Sequence, residues 1–364
     1  MIHSVIKTVL LFGGRSAEHA VSILSARSVA GAAAKDRIEI IPIYIARDGR
    51  FADPEKSAKI LAGEEKSDAG HPGFSFEIWS RSHSIDIVFP LIHGTGGEDG
   101  TLQGYLEMLG LPYVGSGVTA SAIGMDKVHM KQAFASAKLP MIDHVAVHER
   151  EWRHERDRVT RAITNALRLP YFIKPANSGS SVGVTKVKND RDLEAAVEHA
   201  LRFDKKLLVE RGVDAREIEV SVLGNDAPEA SVPGEIITGR EFYDYTDKYI
   251  EDKSSLVIPA KLPKERSDEL RRLAIAAFKS IGASGFARVD FFLERGTNRL
   301  FVNEINTIPG FTNISMYPKL WEATELKYPR LIEKLLLFGI ERGKSRVART
   351  ESTMKWFEEV KPLA

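Results

Sequence analysis

Phe286-Ala287-Arg288-Val289-Asp290-Phe291-Phe292-Leu293 and Leu300-Phe301-Val302-Asn303-Glu304-Ile305-Asn306 are two apolar segments joined by the turn-forming Glu294-Arg295-Gly296-Thr297-Asn298-Arg299. They read as the antiparallel strands of one hairpin. Side chains alternate along a strand, so Phe286, Arg288, Asp290 and Phe292 share a face, as do Leu300, Val302, Glu304 and Asn306. A turn centred near Thr297 sets Asp290 opposite Glu304, with Arg288 and Asn306 alongside. Facing carboxylates destabilise a sheet unless a cation lies between them. Hard oxygen donors favour Mg2+, which commonly takes one or two carboxylates and completes its shell with nucleotide phosphates. The other reading is a solvated face on which Arg288 bridges the acids. Phe286, Phe292 and Val302 on that face weigh against it.

Upstream of the hairpin, Lys264 to Ile281 reads as a helix, and Glu217-Ile218-Glu219-Val220-Ser221-Val222 alternates as a half-buried strand does. Between them, Arg240 to Ser255 is aromatic and charged; its aromatics also suit a packed core edge, but the charges among them, Asp244, Asp247, Lys248, Glu251, Asp252 and Lys253, suit a surface lid better. Tyr171 to Pro175, Val182 to Val187 and Lys206 to Glu210 read as strands of an α+β block. Its helices are expected from Asp126 to Leu139, from Glu151 to Leu169, and from Arg191 to Leu201 with Asn189-Asp190 as its cap. The turn Asn177-Ser178-Gly179-Ser180-Ser181 lies between two of these strands, where successive amides and hydroxyls can cradle a phosphate, with Lys174 just before it.

The first third alternates strand and helix: a strand ending at Phe12, a helix from about Ala17 to Ala34, and apolar runs at Ile38–Ile45 and Ile85–Ile92. Such near-continuous runs suit a parallel sheet covered on both faces. A helix from Thr101 to Leu109 closes the unit, and Phe51 to Ser84 is polar enough to be expected as a surface insertion. The chain ends in helices that include Leu331 to Ile340, followed by a polar tail after Glu341.

Composition narrows the function. A chain of 364 residues suggests two or three domains. Fifty-one Lys and Arg against 50 Asp and Glu leave a net charge of +1, so no global field recruits nucleic acid or an anionic membrane. The absence of cysteine excludes disulfides, thiolate catalysis and Cys-ligated zinc. The opening Val5 to Phe12 run is a buried strand rather than a signal peptide, and no run approaches the ~20 apolar residues of a membrane span, so a cytoplasmic protein is expected. Three glycine motifs fail on context. Gly179-Ser180-Ser181-Val182-Gly183 has the pattern of a hydrolase nucleophile elbow, with Ser181 as its nucleophile, but is followed by strand-like alternation rather than a helix. Gly94 to Gly100 lacks the third glycine of a dinucleotide fingerprint, and Gly343-Lys344-Ser345 lacks the first glycine of a P-loop. A nucleotide enzyme without a P-loop remains, with ATP between the glycine turn and the acidic hairpin.

The chain resembles the D-alanine–D-alanine ligases of the ATP-grasp superfamily from Leu11 to about Trp321. The resemblance is carried in order by Gly13-Gly14-Arg15-Ser16-Ala17-Glu18-His19-Ala20-Val21-Ser22, His93-Gly94 through Gly104, Tyr113 through Gly117, and Met125-Asp126-Lys127. It continues through Lys174-Pro175 to Gly183, Phe242 through Tyr249, and Asn303-Glu304-Ile305-Asn306-Thr307 to Met316. It implies a three-domain ATP-grasp architecture of α/β and α+β class. A Rossmann-like parallel-sheet domain would occupy residues 1–116, and two α+β domains, 117–213 and 214–364, would enclose ATP.

The implied reaction phosphorylates the carboxylate of one D-alanine and lets a second displace the phosphate, giving D-alanyl-D-alanine for peptidoglycan. By the same resemblance, Lys127, Lys174, Ser180 and Ser181 would contact ATP phosphates, Glu210 and Glu217 the adenosine, and Val213 the adenine pocket, with Arg211 touching it through backbone. Lys248 would reach the γ-phosphate. Asp290, Glu304 and Asn306, with Asn303 beside them at the nucleotide, would bind two Mg2+ or Mn2+ ions. Glu18 would hold the first D-alanine's ammonium and bond Ser180 and Tyr249; Arg288, the amide of Gly310, Ser315 and Met316 would bind the second; His93 would lie near both. Family members form dimers, so a homodimer is expected. The Tyr-Asp-Tyr-x-x-Lys-Tyr stretch ending at Tyr249 favours the dipeptide over D-alanyl-D-lactate. A non-catalytic nucleotide-binding regulator would lack the lid lysine or metal acids, and neither is missing.

Overall fold

The computed structural model describes residues 5–66, 73–237, 255–312 and 314–360. The expected lid, with Lys248 and Tyr249, lies almost wholly outside them.

The first third is a three-stranded parallel sheet in the order β2-β1-β3, from β1 (Ile6–Gly13), β2 (Ile38–Ile45) and β3 (Ile87–Pro90). Val9 to Phe12 are fully buried, because helices cover both faces. α1 (His19–Ala32) follows β1, while α4 (Thr101–Met108) follows β3; between β2 and β3 come α2 (Pro54–Ala62) and α3 (Phe76–Ser82). These two replace the expected surface insertion. Asp53 and Ser75 cap them by accepting from the amides of Lys56 and Ile78, and Ala52, Ile60 and Phe76 enter the core. The Phe51 and Phe76 rings stack at 5.4 Å. Their anchors are too widely spaced among polar residues to leave a visible period.

α5 (Val118–Met125) and α6 (Lys127–Ser136) lead into the second unit. Its strands β4 (His144–His148), β5 (Tyr171–Pro175), β6 (Thr185–Val187) and β7 (Lys206–Arg211) form an antiparallel sheet in the order β4-β7-β5-β6. The charged helix expected at 151–169 is two, α7 (Glu149–His154) and α8 (Arg156–Ala166). Glu155, at φ −136° and ψ 39°, breaks them apart and lets Trp152 enter the core. α9 (Leu193–Ala200) starts after a 3-10 turn at Asp190–Asp192, and Asn189 makes no side-chain cap bond there. β6 begins at Thr185 rather than Val182, since the turn at 178–184 runs on further than expected.

The last unit comprises β8 (Ala215–Gly224), β9 (Glu229–Ala230), β10 (Gly234–Ile237), β11 (Ser255–Val257), α10 (Lys264–Ser280), β12 (Gly285–Glu294), β13 (Leu300–Asn306), α11 (Met316–Glu322) and α12 (Tyr328–Val360). The sheet order is β11-β10-β8-β12-β13, with β9 beside β8. Ile218, Val220, Val222, Val289, Phe291 and Ile305 pack with Leu270, Ala274 and Phe278 of α10. Asp290 stands opposite Glu304, as the hairpin arithmetic requires. One residue on, Phe291 pairs with Val302, so Asn303 forms a bulge. The bulge turns Val302 into the core, correcting the simple alternation that put it beside Glu304.

The polar tail is helical. α12 runs for 33 residues, and its Leu331, Ile332, Leu335 and Leu336 join Phe286, Phe311, Tyr317 and Trp321 in one core with Leu10, Phe12 and Phe89 of the first sheet. Its two buried glycines permit close approach: a Cβ on Gly339 would lie 2.5 Å from Ile87 Cδ1, and one on Gly343 2.8 Å from Pro112. Beyond Arg346 the helix is exposed on nearly every side. Among the described residues no helix is long and apolar enough to cross a membrane.

Candidate active site

The face of the last sheet opposite α10 changes character along its length. At one end Leu223 and Phe286 enter the core shared with the first sheet. Further along, the strand register lays Glu219, Asp290 and Glu304 abreast on β8, β12 and β13, with Ser221, Arg288 and Asn306 as the next row. Arg288 donates from Nε and Nη2 to the two Asp290 oxygens, both at 2.7 Å, and its Nε lies 3.0 Å from Glu219. Burial opposes charge on this guanidinium, but Asp290, Glu219 and Glu304 together hold its pKa well above the usual arginine value. Asn306 donates to Asp290 at 3.0 Å. Glu219 escaped the sequence reading of this cluster, although its period-two relation to Glu217 was the signal that could have found it.

Asp290, Glu304 and Asn306 fit a Mg2+ or Mn2+ ion: two carboxylates in facing register and an amide whose carbonyl can bind oxygen-loving cations. Among the described residues no group of three His, Cys, Asp or Glu is arranged to hold an ion by itself.

Strand β5 and helix α6 supply the cations. Glu210, buried on β7, is ion-paired to Lys174 of β5 at 2.5 Å and to Lys131 of α6 at 2.8 Å. Burial raises the Glu210 pKa, yet the two ammonium groups outweigh it and hold the carboxyl well below its usual range. Burial likewise lowers the Lys174 pKa, and Glu210, with Glu304 and Glu217 further off, more than reverses it. Glu304 and Glu217 of the last sheet thus add to the field that keeps Lys174 charged. Lys127 donates to the Ser178 carbonyl at 2.6 Å, tying α6 to the glycine turn. Lys131 was missed from sequence because a lysine inside a helix reads as solvated surface. The Arg211 guanidinium is taken up by Glu294 at 3.2 Å and Asp143 at 3.6 Å, and its amide donates to the Asp143 carbonyl at 3.0 Å. Val213 and Glu217 are half-buried, on the β7–β8 connection and on the acidic face.

The glycine turn also meets the first unit. Ser180 Oγ donates to Glu18 Oε1 at 2.5 Å. Ser180 and Ser181 both adopt left-handed backbone, at φ 48° and 61°, a conformation unfavourable for residues with a Cβ. Gly94 leaves room for the acid: at φ 73°, a Cβ there would lie 2.7 Å from Glu18 Oε2. His93 is buried, with Nδ1 2.9 Å from the Ile308 carbonyl and Nε2 2.9 Å from Ser25 Oγ. Burial opposes its protonation, but Glu98 and, more weakly, Glu18 raise its pKa. It bridges the end of β3 to the loop after β13. In that loop, Ser315 Oγ accepts from the Thr312 amide at 2.9 Å, and a Cβ on Gly310 would meet the same oxygen at 2.9 Å. The Met316 side chain is buried with Ile236 and Leu320. Ser181 is followed by turn and strand, so the hydrolase elbow is absent.

The chain matches "D-ala D-ala ligase N-terminus" over residues 7–116 and "D-ala D-ala ligase C-terminus" over residues 133–337. It is 48% identical over 341 residues to a D-alanine--D-alanine ligase of Halothermothrix orenii, covering 93% of this chain and 99% of the relative. A counterpart from Solibacter usitatus is 44% identical over 344 residues, covering 94% and 97%. Among solved structures, the D-alanine-D-alanine ligase from Coxiella burnetii superposes with a TM-score of 0.81 at 36% identity, covering 96% of this chain and 99% of that one. The VanG D-Ala:D-Ser ligase from Enterococcus faecalis superposes with a TM-score of 0.80 at 32% identity, covering 92% and 100%. With acids, lysines and glycine turn assembled as described, and with matches spanning nearly its whole length, this chain belongs to the D-alanine–D-alanine ligase family.

Proposed function

We propose that the protein joins two D-alanines in an ATP-dependent reaction, supplying D-alanyl-D-alanine for peptidoglycan precursors. The observation that carries this is the register that sets Asp290 against Glu304 beside Arg288 on the last sheet, with Lys174 held on Glu210 in the second. Lys127, Lys174 and the turn at Ser180-Ser181 would hold the phosphates, with Asn303 beside them, and Glu210, Glu217, Val213 and the Arg211 backbone the nucleoside. Two Mg2+ or Mn2+ ions, held by Asp290, Glu304 and Asn306, would neutralise charge on the triphosphate.

A free carboxylate is a poor electrophile, so the first step gives it a leaving group. A carboxylate oxygen of the first D-alanine bonds to the γ-phosphorus, the bond to ADP breaks, and an acyl phosphate forms. Glu18 would hold that D-alanine through its ammonium. The neutral amine of the second D-alanine then attacks the acyl carbon and loses a proton as inorganic phosphate departs. Arg288, the Gly310 amide and Ser315 would hold the second substrate and the charge on its tetrahedral adduct. Lys248 and Tyr249 would close over the site. Positioning and charge stabilisation therefore account for most of the protein's contribution. The working form is a cytoplasmic homodimer.

The test is ADP release and product analysis with D-alanine, L-alanine, D-serine and D-lactate added singly and in pairs. D-Alanine alone should give dipeptide, and Glu304→Ala should abolish it. A dominant D-alanyl-D-lactate product would reassign the acceptor, and absence of ADP release with every substrate would leave a nucleotide-binding regulator.

A further inference from the structure

Glu219 is buried beside Asp290, on the opposite side from Glu304. Neighbouring strands stand ~4.8 Å apart, so Glu219 and Glu304 are separated by about 10 Å with Asp290 between them. Arg288 Nε lies 2.7 Å from Asp290 and 3.0 Å from Glu219, so one guanidinium is shared by two acids. We propose that Glu219 is a positioning residue: it holds Arg288 in place for the carboxylate of the acceptor amino acid, leaving Asp290 to serve the divalent cation. This rests on the ligase reading above, in which Arg288 binds that carboxylate.

A carboxylate shared between an arginine and a divalent cation holds each less firmly. A cation between Asp290 and Glu304 would also repel Arg288. The guanidinium stays oriented only if a second anion, remote from the cation, retains it, because a buried arginine needs a charged partner. Glu219 meets that condition by its place in the sheet. Ser221, directly across from Arg288, cannot, since it is neutral and donates its hydroxyl to the Tyr317 carbonyl at 3.2 Å.

The experiment compares wild type, Glu219→Gln and Glu219→Asp by steady-state kinetics that resolve donor and acceptor D-alanine. Mn2+ binding is read separately, with ADP present, from the electron paramagnetic resonance of the free ion. In Glu219→Gln the acceptor KM should rise roughly 10-fold, while the donor KM, the ATP KM and the Mn2+ Kd change less than about 2-fold. Glu219→Asp, which keeps the charge but withdraws it by one methylene, should give an intermediate rise, and it decides the matter if the Gln variant does not fold. An unchanged acceptor KM, or Mn2+ binding weakened as much as the acceptor KM, overturns the assignment. If the wild type forms no dipeptide from D-alanine, the ligase reading fails and takes this assignment with it. An active wild type with unaffected variants overturns the role of Glu219 alone.

Discussion

Glu210 is a buried acid held between two lysines. Two lysines from different elements converge on it, and all three groups are largely out of water. The Lys131→Met variant should lose about 3 kcal/mol of stability in urea unfolding, near the low end for breaking a buried pair because Lys174 remains. The sign of the pH effect follows from the depressed Glu210 pKa. Its contribution is present above the unfolded carboxylate pKa and is lost as pH falls through the folded one. Removing Lys131 raises that folded pKa, so acid unfolding of the variant should begin at a higher pH than in wild type. An unshifted acid limb would show that Glu210 does not depend on Lys131.

Among the elements, the glycine turn between β5 and β6 and the loop after β3 have to be considered together. The turn brings Ser180 to Glu18, and the loop keeps Glu18 from being displaced by presenting Gly94. Gly94→Ala places a Cβ against Glu18 Oε2 and strains a left-handed residue by roughly 1–2 kcal/mol. We expect the donor D-alanine KM to rise by at least about 10-fold while the ATP KM stays within about 2-fold. A loss confined to thermal stability would mean that the loop is only a scaffold. The bulge at Asn303 works at the same level. It turns Val302 inward while Glu304 and Asn306 remain on the acidic face, so an apolar anchor and polar face residues share one short strand.

Across the whole molecule, the last helix joins the beginning and end of the chain. Leu331 to Leu336 share a core with the first sheet, and Arg342 covers the Tyr113 ring at 4.1 Å. Beyond Arg346 the helix buries almost nothing. A chain shortened to end at Arg346 should therefore keep its Tm within about 2 °C. Gly339→Ala, which forces a methyl to within 2.5 Å of Ile87, should cost about 1–3 kcal/mol. Equal effects of the two changes in calorimetry would contradict this division of the helix.

Local pattern was enough wherever a rule of short range applied. Period-two alternation set Asp290 against Glu304, apolar runs marked the buried parallel strands, and context rejected the three glycine decoys. The family resemblance brought Glu18 together with Ser180, which no local rule could do, because the pair is distant in sequence and meets only when two units pack. Four features needed the tertiary structure for the same reason. The charged helix breaks at Glu155 and Trp152 reaches a core, and Phe76 anchors what reads as a polar insertion. Lys131 is buried because Glu210 awaits it, and Glu219 matters because β8 pairs with β12. Backbone geometry dictates which residues share a face, so sequence alone determined the longer strands and set Asp290 against Glu304, while β4, β9, β10, β11 and the inward turn of Val302 needed the fold. Only the packing of one sheet against another decided which charges are buried, and burial turns an ordinary acid or lysine into part of a site.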